Sequence, residues 1–299
     1  MTSIITSLSP QQVAGLSVTS IRGLNTTDIA ALTTADAAAL TSTQLNALTT
    51  TNLQAFATTQ ISGFSAGAVQ GLSLNQILAL TTTETGALTT TQVGALTSSQ
   101  IGTLTTTELQ GLSTTQAGAL TATQLGSVTT TVLGNLSTTQ LDELTATQFH
   151  GVTTTQLNAL TSTTLDALPV GNLSATQIGG LSTTSITNLT TTQVAALTST
   201  QVGAIASASI GGLTTTELSA LTATQAGALT STQIAAMTTS DFASLTSATG
   251  IPALSTSAIA GISTTDIGAL STTQGGAFVT SQIQAMSADQ LQALITLKG

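Results

Sequence analysis

Large apolar side chains recur at every eighth position of this chain, without a polar exception from Leu8 to Leu168. Two further runs keep the same spacing, Leu173 to Leu245 and Leu254 to Leu294, so octads fill nearly all of the 299 residues. An eight-residue unit is too small to bury a core by itself, and arrays of such units fold by stacking neighbour on neighbour. The pattern therefore predicts a single octapeptide-repeat solenoid over 1–299, with no room for an independent second domain. The register slips at 169–172 and at 246–253, where Pro169, Gly171, Gly250 and Pro252 sit. These residues interrupt regular backbone and are read as kinks or small loops inside one array.

Within each octad the order of residue types carries a helix-start signal. Segment Leu96-Thr97-Ser98-Ser99-Gln100-Ile101-Gly102-Thr103-Leu104 is typical. Ser or Thr followed three residues later by Gln or an acid is a capping box, and the flanking Leu96 and Ile101 fall where a hydrophobic staple places its two members. The opening unit repeats the theme, with Ser9 as cap and Pro10 at the one helical position that welcomes proline. A single long helix is excluded, because eight residues at about 100° each leave the leucine stripe rotating by roughly 80° per octad. The chain must bend at every cap. The expected fold is all-α, a superhelix of short capped mini-helices, one per octad, with leucine and isoleucine facing a shared interior. The Ala or Gly before each leucine, as at Gly15, Ala31, Gly71 and Ala95, would allow close approach at the bend.

A β-solenoid is the alternative, since threonine is β-branched and abundant and Thr/Gly repeats stack well as parallel coils. Against it, the leucine and the isoleucine five residues later have opposite parity, so one strand could not send both to one face. That reading also leaves the recurrent glutamine without a reason. Either way stability must come from stacking. Burying one Leu and one Ile yields roughly 3 to 6 kcal/mol, whereas ordering eight residues costs on the order of 8 to 16 kcal/mol of backbone entropy.

Composition narrows the chemistry. The chain has no Cys, Trp or Tyr, one His, and only Arg22 and Lys298 as basic residues, with a net charge of -9. Disulfides, thiolate nucleophiles and Cys/His zinc sites are excluded. Nucleic-acid binding lacks its basic footprint, and docking on anionic membranes lacks it too. Seven of the acids, Asp28, Asp36, Glu84, Glu108, Glu217, Asp241 and Asp266, occupy the slot that glutamine fills elsewhere. There a carboxylate caps the helix and opposes its positive end, so these residues are read as caps and not as metal ligands. Asp142 with Glu143 is the remaining cation candidate, but two acids without a glycine-rich calcium loop make a weak site. His150 has no orienting acid or nucleophile beside it that stands out from the background of Ser and Thr, and is read as a surface histidine. No catalytic, cofactor-binding or metal residues are assigned, no cofactor is expected, and the chain is read as not an enzyme.

The start, Met1 to Leu8, has neither a basic region nor a long apolar core, and no run reaches the roughly 20 apolar residues of a membrane span. No transmembrane insertion and no ordinary secretory leader are expected. The apolar tail Leu291 to Gly299 is read as a cap of the solenoid or as an uncleaved export signal. Cys-free, acidic octads such as Ala87-Leu88-Thr89-Thr90-Thr91-Gln92-Val93-Gly94 resemble the repetitive regions of bacterial secreted surface and adhesin-like proteins, over essentially the whole chain. The resemblance implies an extracellular or cell-surface protein exported without a recognisable N-terminal signal, acting as stalk, filament or matrix. Ice-nucleation proteins also use Thr-containing octapeptides, but their aromatic and glycine pattern is absent here. With so few charges to keep copies apart, lateral or end-to-end homo-oligomerisation into filaments is expected. The alternative is a regular threonine array that contacts ice, a polysaccharide or the cell surface.

Overall fold

A computed structural model describes residues 4–134 and 136–299, so the first three residues of the opening segment lie outside the described residues. The regular secondary structure of the described residues is all helical, in short α-helices with a few 3-10 segments, and contains no strand. The fold is an all-α repeat solenoid, and the β-coil alternative is not adopted. Thr97 shows why. Its Oγ1 accepts the Gln100 N–H at 3.2 Å while Gln100 Oε1 accepts the Thr97 N–H at 2.7 Å, closing a capping box that starts helix Ser98–Thr103. Ser9 caps Pro10–Ala14 in the same way, with the proline in the first turn.

Each helix before the last, Ala288–Lys298, ends after little more than one turn, because the next corner competes with it. Leu104 is extended at φ -59°, ψ 137°, and Thr105 at φ -72°, ψ 162°, before Thr106–Gln110 begins. Two extended residues thus redirect the chain. Among the described residues only Gly299 has a positive φ, so the corners need no left-handed glycine.

The chain forms two compact units, one up to Val152 and one from Thr153. Within the first, each helix packs on the third helix along: Pro10–Ala14 on Thr34–Ala39, that on Thr58–Gly63, and likewise Val18–Arg22 on Ser42–Ala47. Within the second, Ala175–Gly179 packs on Ser199–Ala204, and that on Ala223–Ala226. Three octads therefore make one turn in both. The register breaks are absorbed without changing that number. The short step becomes a 3-10 side, Val170–Asn172, packed against Thr191–Ala196, and the long step becomes Ile251–Ala253, packed against Ala223–Ala226.

The core is the line of staple residues. Ile21, Ile29, Leu45, Ile77 and Ile101 are fully buried, and the corner residues Leu40, Leu96 and Leu104 nearly so. Between Val13, Ile21, Ile29 and Leu40 the interior is too tight to admit water. The small residue before the leucine serves closeness between turns. At Gly71 a Cβ would lie 2.3 Å from Ser42 Cβ, and at Gly151 it would lie 1.9 Å from the Ala122 carbonyl oxygen. Gly15, by contrast, meets only its own helix.

Two outcomes are expected. Ile101→Ala should lower stability by about 2 to 5 kcal/mol, whereas exposed Ser99→Thr should stay within about 0.5 kcal/mol, as read by urea unfolding. Gly151→Ala should cost about 1 to 3 kcal/mol by forcing two turns apart; an unchanged unfolding midpoint would refute that close packing.

Candidate functional site

The recurring polar feature is the corner glutamine. In a capping box either Gln or Glu satisfies the N-cap amide, yet this chain uses glutamine at most corners and buries it. Gln92 and Gln100 are 2 % exposed and Gln233 is 1 % exposed. A buried primary amide must spend both of its ends, or it costs about 1 to 3 kcal/mol. The oxygen does so locally, as at Thr89, whose N–H donates to Gln92 Oε1 at 2.6 Å.

The nitrogen reaches down to the preceding turn. Gln92 Nε2 donates to the carbonyls of Ile61 and Phe64, both at 2.8 Å. Gln282 donates to Ile251 and Leu254, both at 2.8 Å, and Gln290 to Ile259 at 2.8 Å and Ile262 at 2.7 Å. The partners stand 31 and 28 residues back. They are the staple residue and the corner residue at the bend directly beneath; the staple carbonyl also accepts from the corner N–H, as Ile61 does from Phe64 at 3.1 Å, while helix-end carbonyls have acceptor capacity to spare. One side chain therefore starts its own helix and clamps it to the turn below.

The sixth position of the octad adds a second contact between turns. Asn46 Nδ2 donates to the Gly71 carbonyl at 2.8 Å, and Gln54 Nε2 donates to that of Ala79. Where this position is glycine the carbonyl packs directly on the backbone: a Cβ on Gly126 would stand 2.6 Å from the Gly151 oxygen. At the short register step Asn158 bridges instead, donating to the Gly180 carbonyl at 2.9 Å and accepting from Ser182 N–H at 2.8 Å and Ser185 Oγ at 2.9 Å.

The seven acids of the glutamine slot do cap their helices. Thr81 N–H donates to Glu84 Oε2 at 2.6 Å, Thr105 N–H to Glu108 at 2.7 Å, Thr214 N–H to Glu217 at 2.7 Å and Ser263 N–H to Asp266 at 3.0 Å. Asp28, Asp36 and Asp241 accept from Asn25, Thr33 and Thr238 in the same manner. A carboxylate has no hydrogen to give, so these corners lack the downward half of the clamp. Asp142 and Glu143 are exposed at the end of Thr138–Asp142, and His150 is exposed at the end of Ala146–Phe149. Among the described residues no three His, Cys, Asp or Glu side chains gather in a metal-binding arrangement. The open surface grooves are lined by residues such as Val18, Arg22, Ser42 and Asn46, or Thr264, Asp289, Gln292 and Thr296, without converging catalytic groups.

Residues 202–239 and 259–296 match the ALTTAQ repeat family. Within the first stretch Ala220-Leu221-Thr222-Ala223-Thr224-Gln225 runs through a corner: the buried leucine, the capping threonine and the clamping glutamine. The match supports a repetitive protein. No curated protein matches the chain. The downward reach of the glutamine was not foreseen from the sequence, although the preference for Gln where Glu would cap equally well was its signal.

Gln92→Ala should destabilise the fold by about 2 to 4 kcal/mol, having lost both the cap and the clamp. Glu84→Gln should instead stabilise it by about 1 kcal/mol, by supplying donors to the Leu53 and Phe56 carbonyls. Thermal unfolding of the two variants reads both, and a loss of stability on Glu84→Gln would contradict the clamp.

Proposed function

We propose that this chain is a non-catalytic structural repeat protein that self-assembles, laterally or end to end, into an extracellular or cell-surface filament, stalk or matrix layer. The carrying observation is that the periodic side chains are consumed in building the stack. Staple and corner residues fill the core, cap hydroxyls and glutamines hold helices and turns together, and among the described residues no three His, Cys, Asp or Glu side chains gather where they could hold a metal. What remains outside is mainly hydroxyls and small residues with little charge, 4 % of the chain, with Leu74, Leu78, Val279, Ile283 and Ile295 exposed among them. Such a surface has weak self-repulsion and many hydrogen-bonding groups, which favours contact between copies. Among the described residues no helix is long and apolar enough to cross a membrane. The extracellular placement rests on the resemblance of the octads to secreted surface repeats.

One observation favours a second reading. Thr59, Thr83 and Thr107 are exposed at the same octad position on helices that lie one above another, Thr58–Gly63, Thr82–Gly86 and Thr106–Gln110. A column of threonine hydroxyls with the period of the turns could match a repeating ligand such as ice or a polysaccharide. Negative-stain electron microscopy of the purified full chain separates the two. Filaments or sheets are expected; monodisperse particles that inhibit ice growth or retain polysaccharide would replace the first reading with the second.

A further inference from the structure

Clamps are spread evenly along the second unit except at one turn. From Ser185 to Gln233, side chains at the corners bond to the turn below with no more than one corner missing in succession. Gln193 donates to Leu165, Gln201 to Leu173, Ser209 to Leu181, Gln225 to Leu197 and Gln233 to Ile205. The next three corners have none. Asp241 accepts only from Thr238, the 246–253 corner makes bonds within itself through Thr246, and Ala258 has no polar side chain. The corner carbonyls beneath, those of Leu213, Leu221 and Leu229, receive no hydrogen bond from the turn above. Above that turn Asp266 accepts only from Ser263 and adds no clamp, but the other corners are held, since Gln274 donates to Ala243 and Leu245, Gln282 to Ile251 and Leu254, and Gln290 to Ile259 and Ile262.

We infer that the plane between turn 214–237 and turn 238–261 is a built-in hinge, at which residues 238–299 swing as a block against the part of this unit that precedes them. Polar clamps fix both the separation and the rotational register of two turns, because a hydrogen bond loses most of its strength when bent or stretched. Apolar contact does not, since burial is non-directional. This plane is held by apolar contact alone: Leu245, Ile251 and Ile259 are fully buried along it, and the backbone of Gly261 seats against Ser231. The long register step with Gly250 and Pro252 falls in the same turn, replacing regular helix by 3-10 segments. The clamps above keep the moving block intact. The hinge follows from the fold and holds whether or not copies associate.

The chain has no cysteine, so paired spin labels can be placed cleanly. Thr216→Cys with Ser240→Cys spans the plane on stacked helices Thr215–Ser219 and Thr239–Ala243, both sites exposed. Thr200→Cys with Thr224→Cys spans a clamped plane on Ser199–Ala204 and Ala223–Ala226. Pulsed dipolar spectroscopy, with labelled chain diluted into unlabelled chain, should give a distance distribution across the hinge at least about twofold broader than across the control. Adding Asp241→Gln, which restores one clamp, should narrow it towards the control. Equal widths for the two pairs, or a width that Asp241→Gln leaves unchanged, would overturn the hinge. Hydrogen exchange of the unlabelled chain gives a second reading: amides of 239–261 should exchange about tenfold faster than those of 215–236, and equal protection would also overturn it. Filament formation is scored separately by microscopy, so its failure would leave this result untouched.

Discussion

The structure depends on the two ends of one primary amide. Placed at the third residue of a helix, the glutamine oxygen closes a capping box and the nitrogen finds two carbonyls at the bend beneath, the corner residue's and that of the staple residue, which also accepts from the corner N–H. Where glutamine fills the slot, helix initiation and stacking are thereby done by the same side chain, which couples them. This coupling turns a set of one-turn helices, each unstable alone, into a cooperative array. It also explains why glutamine outnumbers carboxylates in this slot. A carboxylate can replace the oxygen half of the device, as Glu84 and Glu217 do, but cannot replace the nitrogen half.

The apolar positions work around this device. The staple residue sits just inside each helix and the corner leucine just before it, so both point inward across the bend, and successive turns bring their rows into contact. The small residues are distributed by where backbones meet. Gly151 and Gly71 lie where a Cβ would collide with the turn below, and Gly126 lies where it would collide with the turn above. The outward hydroxyls are not needed for any of these contacts, and they are the surface left for assembly or for a repeating ligand. Where the clamps lapse for a whole turn, between 238 and 261, the array keeps its core but loses its directional ties, and flexion concentrates there.

Much of the fold was legible in the octads. The capping boxes predicted helix starts such as Ser98–Thr103, Pro10 marked a first turn, and the drift of the leucine stripe required a bend at each cap. The acids of the glutamine slot were readable as caps, because the charge suits a helix N-terminus. Asp142, Glu143 and His150 stand exposed at helix ends, a placement that their octad positions allowed but did not fix. What was not legible was the second use of glutamine, since its partners stand 28 and 31 residues away and belong to a different turn.

The sequence by itself determined the unit: eight residues, one capped helix, one staple, one corner. Those are local matters, settled by side chains reaching three residues along their own backbone and by which faces are apolar. Only the tertiary structure decided that three units close a turn, that glutamine nitrogens meet carbonyls there, and that the short and long register steps become sides of a turn instead of boundaries. The angle at each corner is shared between two extended residues, and small differences in their dihedrals accumulate around the coil. The number of units per turn is therefore fixed by packing between turns, where the amide must reach two particular carbonyls at once.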